Sequence, residues 1–482
     1  MPIIRTWQLV AGATAAGLAL AAGAVALAGP WESGRRTAER AQAAELESER
    51  RTGLRPAAAG PGRPAPAPSA PGVLGPLGGR ASDRPADGKA GGLGEELGPL
   101  LRDPGLGPLR TASVIDAATG RQLYGQGADR PMTPASTIKI ATAVAALDAL
   151  GPEHRIATTV VASGDRLTLV GGGDATLTRA ALRTLAERTA RALADRGPGT
   201  GDGAAPRTAP AGSPDRPVRL AYDTSLYRGG PIHPIGRNGN LAPVTALMAD
   251  GARTDPRSTG YAERSDDPAG DAARAFAALL QDEGVRVAAS PAPGKATRGA
   301  RPLAAVHSAP LAALVERMLT ESDNDVAESL ARQTAVAGNE PASFAGAERA
   351  VRKRLSGLGL PLTGARFADG SGLDRRDRVT ARLLTTLLAR AAEPGRPELR
   401  PALTGLPVAG FTGTLAGRYS GTDPGSGLVR AKTGTLTGVG SLSGTVTGPD
   451  GRLLAFAFLA GRTPSRDASQ DALDRLAGAL AP

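Results

Sequence analysis

The order of strand-like and helix-like segments constrains the fold of this chain more than any other feature. Two short apolar runs around a turn ending at Gly120 predict a β-hairpin in residues 112–127. Strand-like runs separated by glycine-rich turns return in residues 428–461, and a capped helix follows. The segments between them include several helices. The sequence therefore predicts an α+β fold in which both ends of the folded part contribute to one sheet, and chemistry is expected where that sheet meets the helices.

The N-terminal residues predict export of the chain from the cytoplasm. After Arg5, the stretch from Leu9 to Gly29 carries no charge and is long enough to span a membrane. It is also rich in alanine and glycine, with small residues at Ala26 and Ala28, as in a cleaved signal peptide. Signal peptide and membrane anchor both stay open for residues 1–29. Either one predicts an extracytoplasmic protein, secreted or anchored to the cell membrane.

Glycine and proline are concentrated in two segments. The chain has 65 glycines and 40 prolines but only 3% aromatic residues, so part of it is expected to lack a packed core. Residues 30–97 predict a disordered, partly extended linker, long enough to reach from a membrane into a cell wall. A second such patch, residues 195–217, falls inside the folded region and predicts a flexible surface loop.

Composition excludes several kinds of chemistry. There is no cysteine, which rules out disulfides, thiolate catalysis and cysteine-ligated metals. His154, His233 and His307 are too far apart in sequence to indicate a metal site, and each is interpreted as an ordinary core or surface residue. The net charge of +11 comes from scattered arginines without a basic run interleaved with aromatics, so nucleic acid is not an expected partner. Attraction to an anionic cell wall or membrane surface stays open.

Lysine is scarce, since only 5 of the 57 basic residues are lysine. One of them, Lys139, follows Ser136 by three positions, where Pro134 and the apolar spacing of "IKIATAVAAL" predict the start of a buried helix. Residues three apart share a helix face. A serine hydroxyl needs a base in contact with it to act as a nucleophile, and a desolvated lysine can be that base. An arginine cannot lose its proton, so the pair predicts a nucleophile and its general base.

Two further polar patterns accompany this pair. The sequence "SDN" at 322–324 falls at a predicted junction of two helices, where it could complete a proton path or serve as ordinary turn and cap residues. The sequence "KTGT" at 432–435 lies in a strand-like run. Its glycine would let a substrate backbone lie against the strand, and its lysine and hydroxyls could hold a carboxylate.

The ordered set S-x-x-K, S-D-N and K-T-G resembles the signature of penicillin-binding proteins and serine β-lactamases. Within that superfamily, the chain most closely resembles the low-molecular-mass class C penicillin-binding proteins, which are D-alanyl-D-alanine carboxypeptidase/endopeptidases. The two motif serines are 186 residues apart, whereas class A β-lactamases keep them much closer and use an E-x-x-L-N loop that is not found here. The resemblance spans Gly98 to Leu480 and also rests on "LVGGGDATLT", "YDTSLYRGGPIHP", "ADGSGLDRRDRVT" and "LPVAGFTGTLAGR".

This resemblance implies a penicillin-binding protein/β-lactamase-like transpeptidase fold, with an antiparallel sheet built from both chain ends and helices on its faces. The catalytic domain would comprise residues 98–156 and 301–482, interrupted by an inserted accessory domain at 157–300. The sequence departs from the family in the loop at 195–217 and in the absence of a tryptophan after the "GGP" turn. These departures concern the accessory domain more than the chemistry.

The resemblance also implies a role for each motif residue in acylation. Ser136 would attack the carbonyl between two D-alanines, and Lys139 would accept its proton. Asn324 would hydrogen-bond the substrate amide and Lys139. The backbone N–H groups of Ser136 and Thr435 would form the oxyanion hole.

The remaining motif residues would act on the leaving group and the carboxylate. Ser322 would pass a proton to the departing D-alanine amine. Lys432 would either support that transfer or bind the terminal carboxylate with Thr433 and Thr435, while Gly434 keeps the strand open. Water would then resolve the acyl-enzyme.

The function implied is a serine-type D-Ala-D-Ala carboxypeptidase/endopeptidase that acts on peptidoglycan stem peptides and crosslinks and is inhibited by β-lactam antibiotics. No metal or organic cofactor is implied. A transpeptidase or β-lactamase would use the same residues and differ in what resolves the acyl-enzyme. A non-catalytic wall-binding protein is a further alternative, which the intact nucleophile and both motif lysines disfavour.

Overall fold

The structure is a computed structural model that describes residues 92–195, 216–258, 260–419 and 422–482. The strands are β1 (Leu109–Asp116), β2 (Gln122–Gln126), β3 (Ala157–Ser163), β4 (Arg166–Val170), β5 (Arg219–Asp223), β6 (Ala292–Pro293), β7 (Arg301–His307), β8 (Arg430–Leu436), β9 (Val439–Thr447) and β10 (Leu453–Gly461). The α-helices are α1 (Gly92–Leu101), α2 (Lys139–Leu150), α3 (Arg179–Ala194), α4 (Pro268–Asp282), α5 (Leu311–Thr320), α6 (Asn324–Ala337), α7 (Phe344–Gly357), α8 (Ala381–Ala392), α9 (Pro401–Thr404) and α10 (Arg466–Gly478).

Strands from both ends of the folded part form one five-stranded sheet in the order β2-β1-β10-β9-β8. All neighbouring pairs are antiparallel. β1 pairs with β10 along its whole length, from Leu109 opposite Gly461 to Asp116 opposite Leu454. The predicted hairpin is present as β1 and β2. The α+β fold with a sheet built from both ends is therefore confirmed.

Both faces of this sheet are covered by apolar side chains, because residues of β10 alternate between the two faces. Phe456 and Phe458 belong to a core that also contains Leu476 of α10. Ala457 and Leu459 belong to the opposite core, formed with the central helices. The β10 residues from Leu454 to Gly461 are buried, as expected of a strand covered on both sides.

The central helical layer is organised around α2. Its first nine residues, Lys139–Leu147, are all buried, and the helix packs against α5, α6, α7 and α8. A helix that is surrounded in this way can bury a lysine at its start only if the amine finds polar partners. The layer therefore places the predicted nucleophile and base between the sheet and the helices.

A second sheet, in the order β6-β5-β4-β3-β7, lies between α2 and α5 along the chain. β4, β5 and β6 are parallel, whereas β3 runs antiparallel to β4 and β7. Leucines of α3 and Phe276 of α4 share an apolar core with this sheet. The predicted boundary at residue 300 is too early, because β7 follows it and pairs with β3.

The boundary of the predicted linker also needs correction. The linker was expected to reach residue 97, but α1 begins at Gly92, and Leu97 and Leu101 are buried against the core beneath α10. Residues 1–91 and most of the predicted loop 195–217 lie outside the described residues, so the signal or anchor and the loop stay predictions. Within the described part of the chain, no helix combines the length and apolarity needed to cross a membrane.

Candidate active site

Ser136 lies in a tight 3-10 turn, residues Ala135–Ile138, directly before α2. The sequence predicts the start of a helix here, and the structure places the serine in the turn and Lys139 at the first residue of the α-helix. Ala135 has a φ of 49°, in the left-handed region that a residue with a Cβ rarely adopts. Such a sharp turn presents Ser136, which is partly exposed, above a buried lysine.

Lys139 is fully buried and makes three polar contacts. Its Nζ lies 3.0 Å from Ser136 Oγ, 2.7 Å from Asn324 Oδ1 and 2.6 Å from the carbonyl oxygen of Ser371. Burial lowers the pKa of Lys139 to about 8, although carboxylates nearby, led by Asp369, act in the opposite direction. The neutral amine is therefore accessible near neutral pH.

The contacts also orient the amine. The carbonyl of Ser371 and the Oδ1 of Asn324 only accept hydrogen bonds, so in the neutral state they take the two N–H bonds. The lone pair then faces Ser136 Oγ, where it can accept the hydroxyl proton. Asn324 is itself oriented, because its Nδ2 donates to the carbonyl of Asn240 at 2.9 Å. This geometry suits a serine nucleophile with a lysine base.

Residues Ser322–Asn324 lie at the junction of α5 and α6, as predicted. Asp323 caps α6 by accepting from the N–H of Val326 at 3.0 Å, and Asn324 is the first residue of the helix. Ser322 has a φ of 57°, so the turn is strained at that residue. Among the described residues, Asn324 bonds to Lys139, but no hydrogen bond joins Ser322 to either motif lysine. The predicted role of Ser322 in proton transfer stays a prediction.

Lys432 is fully buried in β8, and its Nζ donates to the carbonyl of Thr433 at 2.9 Å. Burial holds its pKa well below the usual range, and the charges of Lys139 and Arg418 act in the same direction. The hydroxyl of Thr433 lies 2.9 Å from that of Thr414. Lys432 thus lies near enough to Lys139 for the two lysines to disfavour each other's charged forms.

Gly434 is packed closely against the turn that carries Ser136. A Cβ at this position would lie 2.6 Å from the carbonyl oxygen of Pro134 and 3.1 Å from the backbone nitrogen of Ser136. It would also meet the hydroxyl of Ser441, which itself donates to the Pro134 carbonyl at 2.6 Å. Sequence reasoning assigned the glycine to substrate access, which stays a prediction, and in the structure it lets β8 lie directly against the turn of the nucleophile.

Sequence reasoning did not assign several residues that contact the site. The backbone carbonyl of Ser371 accepts from Lys139, and Glu328 of α6 accepts from the N–H of Ser371 at 2.9 Å. The segment "ADGSGLD" that contains Ser371 is one of those that carry the family resemblance. Its glycines and aspartates signalled a tight polar turn, but nothing local indicated which residue the turn would contact.

His233 lies in a buried polar cluster behind the site. The ligand atoms of His233, Glu328 and Asp369 lie within 4.8 Å of one another, a spacing that could hold a metal ion. However, the N–H of Ile235 donates to His233 Nδ1 at 3.2 Å, which assigns the ring proton to Nε2, 3.0 Å from Asp369. With this proton on Nε2, His233 donates to Asp369, so the two form a hydrogen-bonded pair beside Glu328. His233 is thus a core residue with a polar partner that the sequence did not indicate.

The sheet, the helical layer and the serine–lysine pair define a protein with the penicillin-binding protein/β-lactamase fold. Comparison with protein-family models identifies the family, since the D-Ala-D-Ala carboxypeptidase 3 (S13) family matches residues 93–202 and 244–481. The chain belongs to this family. The match covers well over half of the chain and includes all three motifs.

Individual relatives agree with this assignment. The chain is 39% identical over 404 residues to carboxypeptidase DacB of Mycolicibacterium smegmatis, covering 81% of this chain and 84% of the relative. It is 31% identical over 461 residues to a D-alanyl-D-alanine carboxypeptidase of an Actinomadura species, and the match covers 79% of this chain and 83% of the relative. Among solved structures, penicillin binding protein 4 of Haemophilus influenzae superposes with a TM-score of 0.63 at 21% identity, covering 81% of this chain and 98% of that one. This last similarity shows the shared fold.

Proposed function

We propose that this protein is a serine-type D-Ala-D-Ala carboxypeptidase and endopeptidase that acts on peptidoglycan stem peptides. The single observation that carries the proposal is the environment of Lys139. Its amine is buried, oriented by two acceptor-only groups and 3.0 Å from Ser136 Oγ. Family membership supplies the substrate class.

The reaction begins with proton transfer from Ser136 to Lys139 as the serine attacks the carbonyl between the two D-alanines. The backbone N–H groups of Ser136 and Thr435 stabilise the oxyanion, an interaction that contributes about 3–4 kcal/mol per donor in serine enzymes. The packing of Gly434 against Ser136 supports this role, because it holds β8 beside the nucleophile. Asn324 bonds the substrate amide while it orients Lys139.

Departure of D-alanine requires a proton on its amine. Ser322 relays to that amine the proton that Lys139 took from Ser136, with Lys432 as its support, so that Lys139 returns to the neutral form. Thr433 and Thr435 bind the terminal carboxylate. The burial of Lys432 favours its neutral form and therefore a part in proton transfer. Water then attacks the acyl-enzyme and regenerates Ser136. Because peptidoglycan lies outside the cytoplasm, the proposed substrate supports an extracytoplasmic location, with residues 1–29 as a signal peptide or a membrane anchor.

Purified protein incubated with muropeptides of defined crosslinking tests this function. Loss of one terminal D-alanine, followed by mass, supports the carboxypeptidase activity, and cleavage of dimers into monomers supports the endopeptidase activity. Exchange of D-alanine for an added D-amino acid without net hydrolysis would instead identify a transpeptidase. Rapid turnover of a chromogenic cephalosporin without action on muropeptides would identify a β-lactamase.

A further inference from the structure

A buried polar network joins the general base to groups that have no part in the reaction steps above. It is centred on the loop Asp369–Asp374, which passes between α6 and the turn of the nucleophile. Gly372 in this loop has a φ of 86°, and a Cβ there would clash with the carbonyl oxygen of Ala135. The loop is therefore packed directly on the residue that precedes Ser136.

Glu328 holds one side of this loop. It is 1% exposed and lies four residues after Asn324, so both side chains point from the same face of α6. Its Oε1 accepts from the N–H of Gly370 at 3.1 Å and from the N–H of Ser371 at 2.9 Å. The carbonyl of Ser371 in turn accepts from Lys139 at 2.6 Å. Ser371 therefore links Glu328 to Lys139 through its own backbone, because its N–H bonds to the carboxylate and its carbonyl bonds to the amine.

Asp369 holds the other side of the loop. Its carboxylate accepts from the N–H of Gly372 at 2.6 Å, from the N–H of Asp374 at 2.7 Å and from His233 Nε2 at 3.0 Å. The Ser371 hydroxyl is a further donor to it, at 3.2 Å. A loop held from both sides has little freedom to move its Ser371 carbonyl away from the amine.

We propose that Glu328 is a positioning residue of the enzyme: by clamping the backbone of Gly370 and Ser371, it fixes the Ser371 carbonyl that orients the Lys139 amine toward Ser136. Asn324 performs the same task directly from the preceding turn of α6. Glu328 touches neither the substrate nor the nucleophile. This inference rests on the proposed acylation of Ser136.

The charge of Glu328 also acts on Lys139. Burial lowers the pKa of Lys139, whereas Asp369, Glu328, Asp323 and Asp377 raise it. The amine of Lys432 faces Lys139 from β8, and the two disfavour each other's charged forms. Burial raises the pKa of Glu328 to about 7, with Asp369 acting in the same direction and His233 and Arg332 opposing it. Glu328 is therefore partly ionised near neutral pH, where it stabilises the protonated amine.

Removing the charge of Glu328 should shift the pH dependence of acylation in a predictable direction. Lys139 must be neutral to accept a proton, so acylation falls as pH drops below its pKa. Without the negative charge of Glu328, the pKa of Lys139 falls, and the acidic limb of the profile moves to lower pH. A residue that only supports folding would not move this limb.

The experiment compares Glu328→Gln, Glu328→Ala and the control Thr334→Ala in the full chain. Glutamine keeps an oxygen that accepts from the loop and cannot be ionised, whereas alanine removes the clamp. Thr334 is a buried polar residue of the same helix whose hydroxyl, within the described part of the chain, bonds only to the carbonyl of Leu330, at 2.8 Å. The readouts are the second-order acylation rate with a fluorescent penicillin from pH 5 to 9, KM for a D-Ala-D-Ala peptide, and thermal stability.

We expect Glu328→Gln to retain acylation within about threefold of wild type at the alkaline plateau, with its acidic limb shifted to lower pH. Glu328→Ala should lose at least about tenfold in plateau rate with little change in KM, and Thr334→Ala should change neither rate nor limb. Glu328→Ala acylating within twofold of wild type, or an unshifted limb in Glu328→Gln, would overturn the inference. If the alanine variant does not fold, the position of the acidic limb in the pH profile of Glu328→Gln tests the inference. Failure of the wild type to acylate on Ser136 would contradict the proposed function instead.

Discussion

Gly434 of β8 lies so close to Ser136 that a single methyl group at position 434 would come within 3.1 Å of the backbone nitrogen of the nucleophile. The same methyl group would lie 2.6 Å from the Pro134 carbonyl. Both neighbours belong to backbone, which cannot move without shifting the turn. The contact of Gly434 with the Pro134–Ser136 backbone therefore fixes the position of the nucleophile relative to β8.

Gly434→Ala should consequently impair acylation while the protein stays folded. We expect a loss of at least about tenfold in kcat/KM, equivalent to ~1.4 kcal/mol of transition-state stabilisation, because the turn must move away from the strand. Gly357→Ala, at the end of α7, is the matched control, since nothing lies within 4 Å of a Cβ there. Steady-state kinetics on a D-Ala-D-Ala peptide measure the effect. Equal activity of the two variants would show that the turn tolerates the methyl group.

Lys139→Arg should be nearly as damaging as Lys139→Ala. A guanidinium stays protonated and cannot accept the serine proton, and its bulk does not fit the space between Ser136, Asn324 and the Ser371 carbonyl. Because the pKa of Lys139 is lowered to about 8 by burial, wild-type acylation should fall as pH decreases below that value. Penicillin acylation rates across pH check both statements. An arginine variant that acylates at the wild-type rate would remove Lys139 from the role of base.

The sequence singles out these residues because each motif carries its own chemistry, and the structure brings Ser136, Lys139 and Asn324 together. Ser136 and Lys139 are one turn apart in the chain, and the scarcity of lysine marked the second one, Lys432, as significant. The strands at both ends of the folded part were equally visible, because their alternation and their glycine turns are local signals.

The remaining parts of the site depend on contacts between distant segments. Nothing near Ser371 shows that its carbonyl will meet Lys139, 232 positions earlier. His233 reads as an isolated histidine until the fold brings Asp369 to its Nε2. The packing of Gly434 against the turn of Ser136 is likewise a tertiary contact that no local pattern indicates, while its predicted part in substrate access stays a prediction.

Lys432→Arg tests how the second lysine acts. If the residue only supplies positive charge for a carboxylate, arginine should retain partial activity. We expect it to fail nearly as badly as Lys432→Ala, because the fully buried amine leaves no room for a guanidinium and burial favours its neutral form. Steady-state kinetics on a D-Ala-D-Ala peptide distinguish the two. A variant within about tenfold of wild-type kcat/KM would favour simple carboxylate binding.

Arg264→Ala should destabilise the link between the inserted segment and the catalytic helix α6. Arg264 pairs with Asp325 at 2.9 Å, and both side chains are largely buried. Removal of one partner of a buried ion pair typically costs about 3–5 kcal/mol, because the other charge is left uncompensated. Urea unfolding measures the loss. Arg382→Ala, which breaks a pair with the exposed Asp129, is the control and should cost at most ~1 kcal/mol. Equal, small losses would show that the Arg264 pair does not secure the insert.

The central claim is that Ser136 forms the acyl-enzyme, and mass analysis after incubation with benzylpenicillin tests it most directly. The strained amide of penicillin mimics the D-Ala-D-Ala bond, and its acyl-enzyme should persist long enough to be isolated. We predict one penicilloyl adduct per protein, mapped by peptide digestion to Ser136 and absent from Ser136→Ala. An adduct that persists in Ser136→Ala, or a wild-type protein that acquires none, would contradict the account.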